Sequence, residues 1–224
     1  MLLSIETIDK SGSIAIFQNG ELLSALDLAS SERSAKTLCP AINAMLNSIG
    51  IKPHDINTIA VATGPGSFTG LRVGIVTAKM FAYAVGAEIV GVDTLETLAF
   101  GTFTMFPQTK KVAAAIDAQR GDVVAQIYEF DNKNNVPQPS SERQLIKFTD
   151  FCNTIREQKI PLASPLLIKQ KEKPPADQPI TAPSCWQPTA VNVGKLAMTK
   201  TEHDNIFAIV PTYSRPPAPC EKVV

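Results

Sequence analysis

Three antiparallel strand signals that feed into parallel β-α units predict an α/β fold built on an RNase-H-like lobe. A glycine-rich run between a strand pattern and a long apolar helix pattern places the tightest turn of that lobe at residues 63–74. A faint internal echo of the first strand pair predicts a second lobe. With 224 residues, 44% of them hydrophobic, the chain can bury one large core or two small ones.

Met1 to Ile8 reads as a buried strand. Ser13 to Phe17 and Leu22 to Leu28 follow, the second across Asn19-Gly20, a hairpin signal. From Ser34 to Ile49 the residues Leu38, Ile42, Met45 and Ile49 share one helical face, and Gly50 ends the helix. Asn57 to Ala62 is the next strand, Leu71 to Val85 a helix, Glu88 to Val92 a strand and Thr94 to Phe103 a helix. The order βββαβαβα is the RNase-H-like arrangement.

The echo pairs Ile5-Glu6-Thr7, leading through Gly12 to Ser13–Ile16, with Ile116-Asp117-Ala118, leading through Gly121 to Asp122–Ile127. Two such halves make the duplicated architecture of actin-like ATPases and sugar kinases, where a nucleotide lies between the lobes. The expected domains are 1–107, with the glycine run, and a smaller proline-rich 108–224. Beyond Phe130 lie thirteen of the 17 prolines and only one of the 12 glycines, Gly194. Asp131 to Arg143 reads as a polar loop and Gln144 to Gln158 as a helix. The prolines from Pro161 to Pro188 forbid long elements. The second lobe is therefore expected to be reduced.

Charge narrows the function. Lys+Arg and Asp+Glu both number 21, so a dominant grip on a phosphate backbone is disfavoured. Cys39, Cys152, Cys185 and Cys220 show no C-x-x-C spacing, and the start of the chain reads as a strand rather than a secretory segment. A soluble cytoplasmic protein with reduced thiols is expected. The apolar run Leu71 to Val85 falls short of the roughly 18 residues of a spanning helix, so no membrane partner is expected.

The glycine run itself offers two chemistries. A Walker A loop ends Gly-Lys-Ser/Thr, but Gly70 is followed by Leu71-Arg72. A dinucleotide fingerprint is nearer, since Gly64-x-Gly66 follows a strand and Asp93 ends the next one; the third glycine, Gly70, comes one position late. The helix beyond carries Gly74, Ala78 and Ala82 four apart, a small-residue stripe on which another backbone could pack. That backbone could belong to a partner or to the lobe's own sheet.

Gly64-Pro65-Gly66-Ser67-Phe68-Thr69-Gly70-Leu71-Arg72-Val73-Gly74, with Ala78-Lys79 and Val90–Glu96, closely resembles the TsaB (YeaZ) family. Ala115–Val123 and Pro211-Thr212-Tyr213-Ser214-Arg215 resemble two further signatures of that family. The resemblance implies a non-catalytic partner of the homologous TsaD enzyme in making threonylcarbamoyladenosine, the modified base beside the anticodon of tRNAs reading ANN codons. It further implies a TsaE-like ATPase in the complex, a TsaC-type supplier of threonylcarbamoyl-adenylate, and tRNA contacted only indirectly. Self-pairing as a homodimer is an alternative use of the same lobe.

On this resemblance Gly64, Pro65, Gly66, Ser67, Phe68, Thr69, Gly70 and Arg72 are expected to touch a partner or a nucleotide. Arg33, Leu38, Ile42, Gly74, Ala78 and Ala82 are expected at the partner interface. Glu6 and Asp117 stand where the superfamily's nucleotide-site acids stand, as vestiges, because Glu6-Thr7-Ile8 replaces the usual Asp-Thr-Ser. For Asp117, capping of the turn toward Gly121 is an equal alternative. No catalytic residue, no metal and no cofactor held by this chain alone are expected, with ATP or ADP at most at the complex interface. The competing enzyme reading is a nucleotide-dependent phosphotransferase or hydrolase using Glu6, Asp117 and the glycine loop. The old M22 peptidase label of the family fits less well, since His54 and His203 are the only histidines and neither has a second at i+4.

Overall fold

The computed structural model describes residues 1–8, 12–28, 34–131, 136–169 and 173–215. The first sheet is formed by β1 (Leu2–Glu6), β2 (Ser13–Gln18), β3 (Glu21–Asp27), β4 (Thr58–Gly64) and β5 (Glu88–Asp93), in the order β3-β2-β1-β4-β5. The β1-β2 and β2-β3 pairs are antiparallel; β1-β4 and β4-β5 are parallel. Between them run α1 (Ser34–Ser48) and α2 (Phe68–Val85), and α3 (Thr94–Met105) leaves β5. This is the RNase-H-like lobe expected from the order of strand and helix signals.

The second sheet repeats it in abridged form. It contains β6 (Lys111–Asp117), β7 (Asp122–Asp131), β8 (Val136–Pro139), β9 (Gln144–Lys147) and β10 (Leu162–Ala163), ordered β10-β6-β7-β8 with β9 also on β7. The β6-β7 hairpin occupies the place of β1-β2, β8 and β9 share the place of β3, and β10 lies parallel to β6 as β4 lies to β1. The helix α4 (Phe148–Glu157) precedes β10, as α1 precedes β4; the short α5 (Leu166–Lys169) follows. No counterpart of β5 follows β10 among the described residues, so the second lobe is reduced; the echo of Ile5-Glu6-Thr7 in Ile116-Asp117-Ala118 falls on matching hairpins, β1-β2 and β6-β7.

Alternation along β1 shows how the layers form. Leu3 and Ile5 face α1 and α2, packing with Leu38, Ile42, Met45, Ile75, Ala78 and Ala82. Leu2 points the other way, and so does Ser4, whose hydroxyl donates to the Ala190 carbonyl at 2.7 Å. That opposite face is covered by α6 (Ala190–Ala197), through Ala190, Val193, Leu196 and Ala197 against Ala15, Phe17, Ala60 and Val90. Gly194 is required there, because any Cβ would enter the ring of Phe17. On the second sheet Leu95, Leu98, Ala99 and Phe103 of α3 cover Val112, Ala114, Ile116 and Tyr128, while Phe148, Phe151 and Ile155 of α4 cover its other face.

Three expectations change. The helix expected over Gln144 to Gln158 begins only at Phe148, because Gln144–Lys147 is claimed by a ladder to β7. The loop expected from Asp131 to Arg143 contains β8, also paired to β7. The division at 107/108 does not follow the packing, since α6 and the segment after it return to the first sheet. Residue Thr189 caps α6 by accepting from Asn192 N, and burial of its apolar side outweighs its eight-residue length.

The first lobe thus depends on a helix from the far end of the chain. Leu196 is fully buried in it. Leu196→Ala is expected to cost about 3 kcal/mol, read by urea unfolding followed at both lobes; a loss under 1 kcal/mol would show that α6 is dispensable to the first sheet.

Candidate functional site

The glycine run forms the strand-to-helix turn from β4 into α2, with Ser67 as N-cap accepting from Gly70 N. Its glycines are explained by what touches them. A Cβ on Gly66 would enter the Ile8 side chain, and one on Gly70 would strike the Thr7 carbonyl oxygen. The Thr7 hydroxyl donates to the Gly70 carbonyl at 2.8 Å, and Ser67 N donates to the Ile8 carbonyl at 3.3 Å. Gly64 has φ of 114°, and its Cβ position is taken by the Thr212 carbonyl. The Cβ positions of these glycines are thus taken by the residues just beyond β1 and by the C-terminal segment.

Three of the signatures met in the sequence converge here. Thr212 N donates to the Thr63 carbonyl at 2.7 Å, which seats Tyr213 against the loop. The Tyr213 ring stacks on Phe68 with centroids 4.9 Å apart, the Arg72 guanidinium lies 3.9 Å over the same Phe68 ring, and Arg72 Nε donates to the Tyr213 hydroxyl at 3.0 Å. Two residues on, Arg215 Nε donates to the Ala118 carbonyl at 2.9 Å, and its guanidinium pairs with Asp122. Pro65 is buried under the turn, whereas Ser67, Phe68, Thr69 and Arg72 are exposed.

The expected acids serve the fold. Glu6 is buried, and its carboxylate accepts from the Ile8 backbone N–H just beyond β1. Asp117 accepts from Gln119 N at 2.7 Å, so the turn-capping alternative describes its geometry. It lies at a polar cleft of about 350 Å³ between the β6-β7 turn and the start of α4, lined also by Arg120, Asp122, Phe148 and Leu166. In that turn Gln119, Arg120 and Gly121 are all left-handed, with φ of 65°, 58° and 75°. Asp122 pairs with Lys147 at 2.7 Å as well as with Arg215, and these two cations hold its carboxyl below the usual range, Lys147 foremost. Asp93, weighed as a ribose ligand, instead caps α3 and pairs with Arg143 at 2.6 Å.

The interface expectation needs correcting. Gly74, Ala78, Ala82, Leu38 and Ile42 are all buried within this chain, and a Cβ on Gly74 would meet the Thr7 hydroxyl. The small-residue stripe therefore lets α2 lie close to the lobe's own sheet, the other of the two partners it could have had. The outward face of α2 is a different row: Phe68, Val76, Met80 and Tyr83, exposed by 53%, 57%, 66% and 70%. Arg33 lies outside the described residues. His54 lies beside Asp55 at 3.7 Å and His203 beside Glu88 at 3.0 Å. Among the described residues no three His, Cys, Asp or Glu side chains gather as a metal set. The helix α2 also begins three residues earlier than expected, and at 18 residues it is the one described helix long and apolar enough to cross a membrane; a third of it is buried in the lobe.

Sequence reasoning missed the roles of Tyr213, Arg215, Asp122, Lys147 and Arg143, because each is defined by a contact distant in sequence. The signature Pro211–Arg215 was visible, but what it touches was not.

Two outcomes follow from this geometry. Gly70→Ala drives a Cβ into backbone that cannot move aside, and a loss of about 3 kcal/mol is expected by denaturant unfolding; a neutral substitution would show that β1 and the loop are not in contact. Burial raises the Glu96 carboxyl above its ordinary value, with Lys200 opposing. Its folded-state value exceeds the unfolded one, so the ionised form is disfavoured and stability falls as pH rises through the folded value. Glu96→Gln is therefore expected to melt higher than the parent at neutral pH and equally below about pH 4, by calorimetry; a lower midpoint at neutral pH would contradict it.

Comparison with known proteins agrees with this architecture. Residues 28–180, more than half of the chain, match the family model described as "TsaD: tRNA N6-adenosine threonylcarbamoyltransferase". The "tRNA threonylcarbamoyladenosine biosynthesis protein TsaB" of Escherichia coli is 35% identical over 130 residues, 58% of this chain and 55% of that protein. The protein of the same name from Bacillus subtilis is 27% identical over 161 residues, 72% of this chain and 68% of that protein. The chain thus spans little more than half the length of the first relative and about two thirds of the second. The structure of YeaZ from Pseudomonas aeruginosa superposes with a TM-score of 0.75 at 21% identity, covering 95% of this chain and 98% of that one, and so shares its fold. The family model matches more than half of the chain, so the chain belongs to the TsaD family, and the relatives named here that it resembles carry the name TsaB.

Proposed function

We propose that this chain is a non-catalytic subunit required for N6-threonylcarbamoylation of the adenosine beside the tRNA anticodon, and that it works by binding and activating a TsaD-like transferase. The observation that carries this reading is the row Phe68, Val76, Met80 and Tyr83. Large apolar side chains at helical spacing, left exposed on a helix whose other side is fully packed, form a surface suited to burial by a second protein. The internal use of Glu6 and Asp117 and the filling of the glycine loop by Thr7, Ile8 and Thr212 support a role outside catalysis.

The balanced charge supports indirect contact with tRNA, which the transferase would hold, and a cytoplasmic location belongs to the same reading. A TsaE-like ATPase, and ATP or ADP at the complex interface, belong to this reading as further members of the assembly. A homodimer through the same α2 row is the state of the chain without its partner. The competing phosphotransferase reading requires tight Mg²⁺-dependent ATP binding with turnover by the isolated chain, which titration calorimetry and phosphate release measure directly.

Met80→Glu places a charge in the centre of the row at a position 66% exposed, so folding is spared. It is expected to weaken a TsaD-family subunit about 100-fold, read by calorimetry, to leave the melting temperature within a degree or two, and to lower the modified-base content of tRNA in cells that depend on it. An unchanged affinity would sink the α2 row as the docking surface.

A further inference from the structure

The segment from Asp204 to Arg215 runs as a strap across the first lobe and ends on the second. Asp204 N donates to the Ile89 carbonyl at 2.8 Å, and its carboxylate accepts from Gly91 N at 2.6 Å, which fixes one end along β5. Lys79 of α2 donates to the carbonyls of Phe207 and Ile209, both at 3.2 Å, and Phe207 stands edge-on to Tyr83 at 6.4 Å. The strap then crosses Thr63, seats Tyr213 on Phe68 and Arg72, and reaches the β6-β7 turn through Arg215.

Two consequences join. Phe207 and Val210, exposed by 77% and 64%, extend the apolar surface of α2 beyond the helix itself. The same strap is anchored in the second lobe by Arg215, two residues from Tyr213, a span of at most about 7 Å. We propose that the docking face is composite, α2 forming one half and the strap the other, and that the Arg215–Asp122 pair sets how firmly the strap half is held. This rests on the reading of α2 as the surface for a TsaD-family subunit. Because coupling is reciprocal, a partner that presses the strap onto α2 tightens the Arg215 anchor, and loosening the anchor weakens the partner.

Asp122 keeps Lys147 at 2.7 Å when Arg215 is removed, so Arg215→Gln leaves no uncompensated carboxylate and the second lobe stays folded. Lys147→Gln is the control that leaves the strap anchor in place. Amide exchange is followed at Thr212 and Ile209, whose N–H groups bond Thr63 and Asn205, alongside calorimetric titration with a TsaD-family subunit. Arg215→Gln is expected to speed exchange at Thr212 about tenfold and to weaken the partner about fivefold; Lys147→Gln is expected to do neither. Parent-like exchange in Arg215→Gln, or a loosened strap with unaltered affinity, would overturn the composite face. A parent chain that binds no such subunit would instead overturn the docking reading, while exchange at Thr212 still tests the anchor.

Discussion

The approach of the α2 N-terminus to the end of β1 is the constraint on which the rest of the molecule depends. Thr7 and Ile8 lie so close to Gly66, Gly70 and Gly74 that no side chain fits at those three positions. This contact decides how α2 is rotated. Its narrow side, Gly74, Ala78 and Ala82, lies on the sheet, and its broad side, Val76, Met80 and Tyr83, is turned to solvent. The surface available to a partner is therefore a by-product of backbone packing within the lobe.

The same contact accounts for the glycines of the turn, because Thr7, Ile8 and Thr212 occupy the positions that side chains would take there. Glu6 accepts from the Ile8 backbone N–H and Asp117 from that of Gln119, each within its own turn. The loop is a joint between the residues after β1, the start of α2 and the C-terminal segment, and its glycines are set by that packing.

The two lobes are held together by segments that double back. α6 seals the inner face of the first sheet, α3 seals that of the second, and the strap carries Tyr213 to one lobe and Arg215 to the other. Arg143 adds an ion pair to Asp93 across the same boundary. Few of these ties lie within one half of the chain, so a reduced second lobe with a small sheet still has a fixed position relative to the first.

The first lobe was legible in the sequence almost element by element, because its strands are short apolar runs, α1 keeps a helical apolar face and its turns carry glycine. The repeat was legible as the echo of Ile5-Glu6-Thr7 in Ile116-Asp117-Ala118. The helix at Ala190–Ala197 was not, since eight residues after a proline-rich stretch make a weak pattern that only burial against Phe17 and Val90 stabilises. The extent of β8 and β9 was equally hidden, because their short polar segments become strands only through pairing with β7. Which side of α2 faces outward could not be read either: the stripe of small residues is equally compatible with a partner and with the lobe's own sheet. By itself the sequence determined the order of elements in the first lobe, the tight turn and the family signatures, which are local properties of neighbouring residues. The tertiary structure alone decided what fills the glycine loop and what Arg215 grips, because both rest on contacts between residues far apart in the chain, for which no local pattern encodes the partner.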